Sequence, residues 1–79
     1  MGKKKAKGGS NNPDAIKELG NKAFTLKKYD EAIQHYTQAI EMTKDNPNHV
    51  YYANRANSKL EIFDFSGCIE DCDEAIKID

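Results

Sequence analysis

The fold of the chain follows from residues 20–40, GNKAFTLKKYDEAIQHYTQAI, which have a near copy 36 residues later in residues 56–76, ANSKLEIFDFSGCIEDCDEAI. Self-similarity at a fixed period of about 20–50 residues is typical of repeat proteins. We therefore expect two copies of one structural unit. In this register nine pairs match in size, namely Gly20/Ala56, Asn21/Asn57, Phe24/Leu60, Leu26/Ile62, Tyr29/Phe65, Ala32/Cys68, Ile33/Ile69, Ala39/Ala75 and Ile40/Ile76.

Each unit is predicted to be a pair of helices. Apolar residues recur at spacings of three and four along four segments, as on one face of an α-helix. The first segment starts at Asn12-Pro13-Asp14, where Asn can cap the helix and Pro suits its first position. Asn46-Pro47 repeats this start signal before the third segment. Because the connections are short, neighbouring helices should be antiparallel. The sequence predicts an all-α fold of two antiparallel pairs without strands.

Small side chains are predicted to let the two helices of a pair approach closely. Gly20 and Ala56 occupy equivalent positions on the first helices, with Ala32 and Ala39 on the facing helix of the first pair. The cysteines of the chain, Cys68 and Cys72, lie four residues apart on the apolar stripe of the fourth helix. We interpret them as buried, reduced thiols that pack as small hydrophobes. Neither a disulfide framework nor a metal site is expected.

Charge is distributed unevenly along the chain. Residues 1–12 carry four lysines and no acid, whereas residues 13–79 carry 8 bases and 13 acids, a net charge of −5. An acidic body disfavours nucleic-acid binding, which needs cations on the folded domain. The lysine-rich residues 1–12 are expected to form a disordered tail. The acidic pairs Glu70-Asp71 and Asp73-Glu74 are interpreted as a solvated helix face.

The sequence offers no signal for a membrane protein or an enzyme. No apolar run reaches the roughly 20 residues of a membrane-spanning helix, and a secretory signal is not apparent. A cytoplasmic protein without membrane contact is therefore expected. His35 and His49 have no Cys or Asp at a telling offset, and neither a phosphate loop nor a nucleophile motif is present. We predict no catalytic residues, no metal and no cofactor.

The helix pairs resemble the tetratricopeptide repeat, which has a small residue in the middle of its first helix and Ala, aromatic and Ala along its second. The resemblance covers residues 13–79, as two repeats at about 13–46 and 47–79. The segments IKELGNKAF (16–24) and YANRA (52–56) are similar to the co-chaperone branch of this family, of the Hop/stress-inducible-protein type. Those domains have three repeats and a capping helix, so we expect residues 13–79 to be the N-terminal part of a longer domain.

The resemblance also implies a binding site. Members of this branch hold the C-terminal Glu-Glu-Val-Asp of seventy- and ninety-kilodalton heat-shock chaperones in a two-carboxylate clamp. The family's clamp positions fall on Lys17, Asn21 and Asn54. A Lys and an Arg of a third repeat would complete the clamp, and the sequence ends before that helix would begin. The repeat here is 36 residues long instead of the usual 34, and Lys44 stands near the customary Pro.

The clamp chemistry is coherent without the family. A carboxylate needs directed donors, and a Lys ammonium and Asn amides supply them. Lys17, Asn21 and Phe24 lie at i, i+4 and i+7, so they share one stripe of the first helix. Asn54 and Asn57 share a stripe of the third helix, and Phe24 and Asn57 are therefore predicted as additional groove contacts.

The hypothesis is a co-chaperone adaptor that recruits heat-shock chaperones by their acidic C-terminal tails. A structural scaffold without carboxylate recognition is one alternative. The other is a targeting or regulatory segment of a larger enzyme, such as a phosphatase. The fourth helix carries four residues on a flank that a further repeat would cover: Ile69, Cys72, Ile76 and Ile78. Self-association through this helix, or only marginal stability, is therefore also expected.

Overall fold

The structure, a computed structural model, describes residues 12–78 as four helices. They are α1 (Pro13–Thr25), α2 (Tyr29–Met42), α3 (His49–Glu61) and α4 (Phe65–Ile78). Each helix packs against the next, and α1 also touches α3. Residues 12–78 contain no strand and no helix long and apolar enough to cross a membrane. The predicted all-α fold of stacked helix pairs is confirmed, whereas the predicted tail, apart from Asn12, lies outside the described residues.

Asparagine side chains cap both first helices. The Asn12 side chain accepts hydrogen bonds from the backbone N–H groups of Asp14 at 2.9 Å and Ala15 at 3.3 Å. Asn48 accepts one from the N–H of Val50 at 2.8 Å. The start predicted at Asn12-Pro13 is confirmed. The start of α3 lies two residues beyond the Asn46-Pro47 signal, because Asn48 is the extended residue whose amide reaches the free N–H groups of the helix.

The two turns within the helix pairs have the same backbone geometry. Lys27 and Phe63, 36 residues apart, both have a φ of 64°. After α1, the N–H of Lys28 bonds to the carbonyl of Ala23 at 2.8 Å, and after α3 that of Asp64 bonds to Lys59 at 2.8 Å. This is the Schellman motif, in which a left-handed residue ends the helix. The 36-residue repeat of the sequence is therefore also present in the backbone conformation of these two turns.

The core of the first pair is built around Gly20 and Tyr36. Tyr36 is 2% exposed, and a Cβ atom added at Gly20 would lie 2.6 Å from its Cε1 atom. Ala23 and Ala32 complete this cluster. The predicted close approach at Gly20 is thus present. Two leucines that share the α1 stripe in sequence, Leu19 and Leu26, are instead exposed, since α2 covers only one side of the stripe.

A buried ion cluster joins α3 to α4, and one hydrogen bond links it to α2 of the first pair. Arg55 on α3 donates to both oxygens of Asp71 on α4, from Nε at 2.9 Å and from Nη2 at 2.7 Å, and its Nη1 donates to Thr37 on α2 at 3.0 Å. Lys59 Nζ lies 3.0 Å from Asp71 Oδ2. The hydrogen bond to Asp71 raises the pKa of Arg55, against the opposing effect of burial. The interpretation of Asp71 as solvated is wrong, because two cations of α3 draw it inward.

The cysteines do not occupy the predicted core positions. Cys68 is half-buried and Cys72 is exposed. Among the described helices, α4 packs only against α3, whereas α2 is held between α1 and α3. Tyr36, the counterpart of Cys72 in the first pair, is therefore covered and Cys72 is not. The prediction of buried thiols is wrong. The spacing of apolar residues indicates which face of α4 is apolar, but it does not indicate whether a neighbouring helix covers that face.

Replacing Asp71 should destabilise the fold strongly. Asp71→Ala leaves Arg55 and Lys59 without their anion, and losing one partner of a buried ion pair costs about 3–5 kcal/mol. Asp73→Ala, an exposed acid of the same helix, should change stability by less than about 0.5 kcal/mol. Urea unfolding followed by circular dichroism measures both. Equal effects of the two substitutions would contradict a structural role for the cluster.

Gly20→Ala tests the close approach of α1 and α2. Helix propensity alone predicts stabilisation by about 1 kcal/mol. The added Cβ atom would lie 2.6 Å from the Tyr36 ring, which predicts destabilisation instead, by about 1–3 kcal/mol for an overpacked core. The two expectations differ in sign, so the shift of the thermal midpoint decides between them. A higher midpoint would mean that the ring moves aside at little cost.

Self-association through α4 stays a prediction, and the exposed side chains define its test. Ile69 and Ile76 are 61% and 73% exposed and lie seven residues apart on one face. We expect concentration-dependent association in sedimentation velocity, which Ile69→Lys combined with Ile76→Lys should abolish. Leu26→Lys, an equally exposed position on the other helix pair, should leave it unchanged. A monomer at all concentrations would contradict the prediction.

Candidate functional site

A cavity of about 250 Å³ opens between α1 and α3, with Tyr36 of α2 among its lining residues. Its wall contains four of the five residues predicted for the site: Asn21, Phe24, Asn54 and Asn57. Thr25 and Tyr36 complete the wall. All six lining side chains are uncharged, so the cavity offers amide, hydroxyl and aromatic groups.

Asn21 and Asn54 are brought together across this cavity. They are 33 residues apart in the chain, yet Asn54 Nδ2 lies 3.4 Å from Asn21 Oδ1. Packing of α3 against α2, with a smaller contact to α1, produces this juxtaposition. The hydrogen bond is long, so the two amides are neighbours that a ligand could separate.

Tyr36 is a cavity residue that the sequence reasoning missed. Its hydroxyl donates to Asn21 Oδ1 at 2.5 Å, while its ring fills the space opposite Gly20. Burial, and to a lesser extent the nearby negative charge of Glu18, raise the pKa of Tyr36, so its hydroxyl stays protonated at neutral pH. Its position in the Ala32-Tyr36-Ala39 stripe indicated a core aromatic, and only the fold places its hydroxyl at the cavity.

Lys17 lies outside the cavity wall, one helical turn before Asn21. Its side chain is 22% exposed, and its Nζ lies 3.6 Å from Glu18 Oε2. Surface pairs of this kind contribute little and break readily. A four-carbon stem gives the ammonium considerable reach. Lys17 is thus a nearby cation, held loosely by a neighbour, and not a fixed part of the cavity.

Phe24 and Asn57 form opposite parts of the rim. Phe24 is partly buried against the cluster of Ala23, Ala32 and Tyr36, and its ring stacks edge-on against Tyr29 with centroids 5.2 Å apart. Asn57 is exposed. A ligand in the cavity would therefore meet a partly buried aromatic wall on the α1 side and a solvated amide on the α3 side.

No group of three or more metal-ligating side chains occurs within residues 12–78. The ionic contacts around Asp71 are already satisfied by Arg55 and Lys59 and lie between α3 and α4, away from the cavity wall. What the cavity can do chemically is therefore to donate and accept neutral hydrogen bonds beside an aromatic wall, with Lys17 within a helical turn.

Comparison with known proteins places this geometry in a family. The model of the tetratricopeptide repeat matches residues 13–46. Heat shock protein STI1 of Saccharomyces cerevisiae is 45% identical over 65 residues, which are 82% of this chain and 11% of that protein. Hsp70-Hsp90 organizing protein of Triticum aestivum is 43% identical over 61 residues, 77% of this chain and 10% of that protein.

A relative with a different kind of name matches over a similar range. Tetratricopeptide repeat protein 12 of Homo sapiens is 39% identical over 66 residues, which are 84% of this chain and 9% of that protein. The chain thus spans about a tenth of the length of the curated relatives it matches. From its stacked helix pairs, the match to the repeat and the relatives together, we conclude that the chain belongs to the tetratricopeptide repeat family.

Proposed function

We propose that the chain is a non-catalytic adaptor of the co-chaperone type, which binds a peptide with a free C-terminal carboxylate, as in the Glu-Glu-Val-Asp tail of cytosolic heat-shock chaperones. The relatives named for organising Hsp70 and Hsp90 support the general role of a chaperone-binding adaptor. A cytoplasmic location and two repeats, at about 13–46 and 47–79, are part of this proposal.

One observation supports the carboxylate site in particular. Asn21 and Asn54, which the family resemblance assigns to the clamp, come from different helices and lie in hydrogen-bond contact at the cavity. A carboxylate inserted between two amides could accept from both, replacing the long bond between them. Lys17 would supply the charge, since a hydrogen bond to a charged group contributes about 1.5–3 kcal/mol, more than a neutral bond.

The apolar part of the peptide has a partner as well. Phe24 presents an aromatic wall at the rim that is held by its edge-on contact with Tyr29. A valine between two acidic residues would bury its methyl groups there while the carboxylates face the amides and Lys17. The cavity volume of about 250 Å³ suits one or two such side chains and not a whole folded partner.

Binding of the peptide should depend on Lys17 and on the free C-terminus. The resemblance assigns two further cations to a third repeat, so residues 1–79 should bind in about the millimolar range, which corresponds to roughly 4 kcal/mol. Titration of the ¹⁵N-labelled chain with Glu-Glu-Val-Asp is expected to shift the side-chain amides of Asn21 and Asn54. Lys17→Ala, and amidation of the peptide, should each weaken binding about tenfold or more.

Lys22→Ala is the matched control, because Lys22 lies on the same helix, is exposed and does not line the cavity. It removes the same charge from α1 and should change the affinity less than twofold. If Lys17→Ala behaves like Lys22→Ala and amidation has no effect, carboxylate recognition is wrong. A structural scaffold would then be the better description of the chain.

A further inference from the structure

The acceptor capacity of Asn21 is fully used within the protein. Its Oδ1 atom receives hydrogen bonds from the Tyr36 hydroxyl at 2.5 Å and from Asn54 Nδ2 at 3.4 Å. A carbonyl oxygen has two lone pairs, and the remaining polar group of the side chain, the NH₂, can only donate. When a ligand displaces Asn54, the Tyr36 bond still holds the oxygen toward α2, so Asn21 turns its NH₂ to the ligand.

The shorter of these bonds comes from the less movable side chain. Tyr36 is 2% exposed, and its ring lies against Gly20 so closely that one added carbon would collide with it. The hydroxyl therefore cannot swing away from Asn21 without displacing α1. Asn54, by contrast, is only partly buried and holds Asn21 through a long bond.

A reversed Asn21 amide would conflict with its surroundings. Its NH₂ would then face both the Tyr36 hydroxyl and the NH₂ of Asn54, and two facing donors repel each other. The Tyr36 hydroxyl could accept from the reversed amide, but its proton would then lose its acceptor, Asn21 Oδ1. The buried environment of the ring penalises an unsatisfied hydroxyl, so the orientation with the oxygen toward Tyr36 is favoured.

We propose that Tyr36 is a positioning residue that orients the Asn21 amide with its oxygen toward α2, so that Asn21 presents only its NH₂ to the cavity and favours ligands ending in a carboxylate over ligands ending in an amide. This inference rests on the proposed function and adds the group that sets its selectivity. The tyrosine does not need to touch the ligand. It acts through Asn21, by holding toward α2 the oxygen with which Asn21 could accept from an amide N–H.

The test variant is Tyr36→Phe, which keeps the ring against Gly20 and removes only the hydroxyl. Tyr51→Phe is its matched control. Tyr51 is also buried, at 3% exposed, and its hydroxyl likewise donates to a side chain of α1, to Asp14 Oδ1 at 2.6 Å. Asp14 lies in the first turn of α1 and does not line the cavity. Both variants lose one hydrogen bond of a buried tyrosine, but only Tyr36→Phe loses it at the cavity.

The first measurement needs no ligand. In the ¹⁵N-labelled chain, the two side-chain amide protons of Asn21 report the environment of its NH₂ group and the rate at which the amide group reorients. Tyr36→Phe should shift these resonances and accelerate their exchange, whereas Tyr51→Phe should leave them in place. Unchanged Asn21 resonances in Tyr36→Phe would overturn the positioning role, whether or not any peptide binds.

The second measurement compares Glu-Glu-Val-Asp as the free acid with the same peptide amidated at its C-terminus. The ratio of the two affinities should fall about three- to tenfold in Tyr36→Phe and stay constant in Tyr51→Phe. A general loss of stability would lower both affinities together and leave the ratio unchanged, which would overturn the selectivity role. If the unmodified chain binds neither peptide, the proposed function fails, while the Asn21 resonances still decide the positioning role.

Discussion

The contact between Gly20 and the Tyr36 ring is the constraint on which the rest of the structure depends. It sets the distance between α1 and α2, because no side chain larger than hydrogen fits between the helix backbone and the ring. The same contact directs the tyrosine hydroxyl to Asn21, the residue that follows the glycine in the sequence. A packing requirement of the core and the orientation of a surface amide are therefore satisfied by one pair of residues. Neither can change independently of the other.

A second constraint, of a different physical kind, holds the helix pairs together. Ile16, Ala39 and Ile40 of the first pair bury an apolar contact with Tyr51 of α3. Arg55, which binds Asp71 on α4, adds a hydrogen bond to Thr37 on α2. Ionic contacts of this sort are directional, whereas apolar contacts tolerate sliding. The Arg55 guanidinium thus adds directional contacts to the apolar packing that positions α3 between its neighbours. The separation of Asn21 from Asn54 follows from that position.

Much of the fold could be predicted because its signals are local. Asn12 and Pro13 mark a helix start by chemistry confined to a few residues, and the helical spacing of Ala32, Tyr36 and Ala39 needs only one segment. The burial of Asp71 could not be predicted in this way, since it depends on two cations of another helix. The spacing of Arg55 and Lys59, four residues apart on one face, was the available signal, and it has meaning only once an acid is known to lie opposite.

The candidate site shows the same division. Asn21, Phe24, Asn54 and Asn57 were predicted from stripes on single helices and from the family resemblance, and they do line one cavity. The contribution of Tyr36 was missed because its ring packs in the core whereas its hydroxyl reaches the cavity. The apolar periodicity of α2 predicts only the position of the ring. Lys17 was grouped with the asparagines by its spacing. A long flexible side chain is not positioned by the helix that carries it, so spacing alone could not place its charge.

The two turns that contain a left-handed residue have the same backbone geometry but different side chains. Lys27 and Phe63 hold the same backbone angle with a cation in one case and an aromatic ring in the other. Phe63 is 77% exposed and stacks against Phe65, with centroids 6.2 Å apart. The same backbone hydrogen bond closes both turns, and Asp64 adds a side-chain bond to the N–H of Gly67. The turn geometry is therefore compatible with either a Lys27 or a Phe63 side chain. One backbone shape can thus present a cation in the first repeat and an exposed aromatic ring in the second.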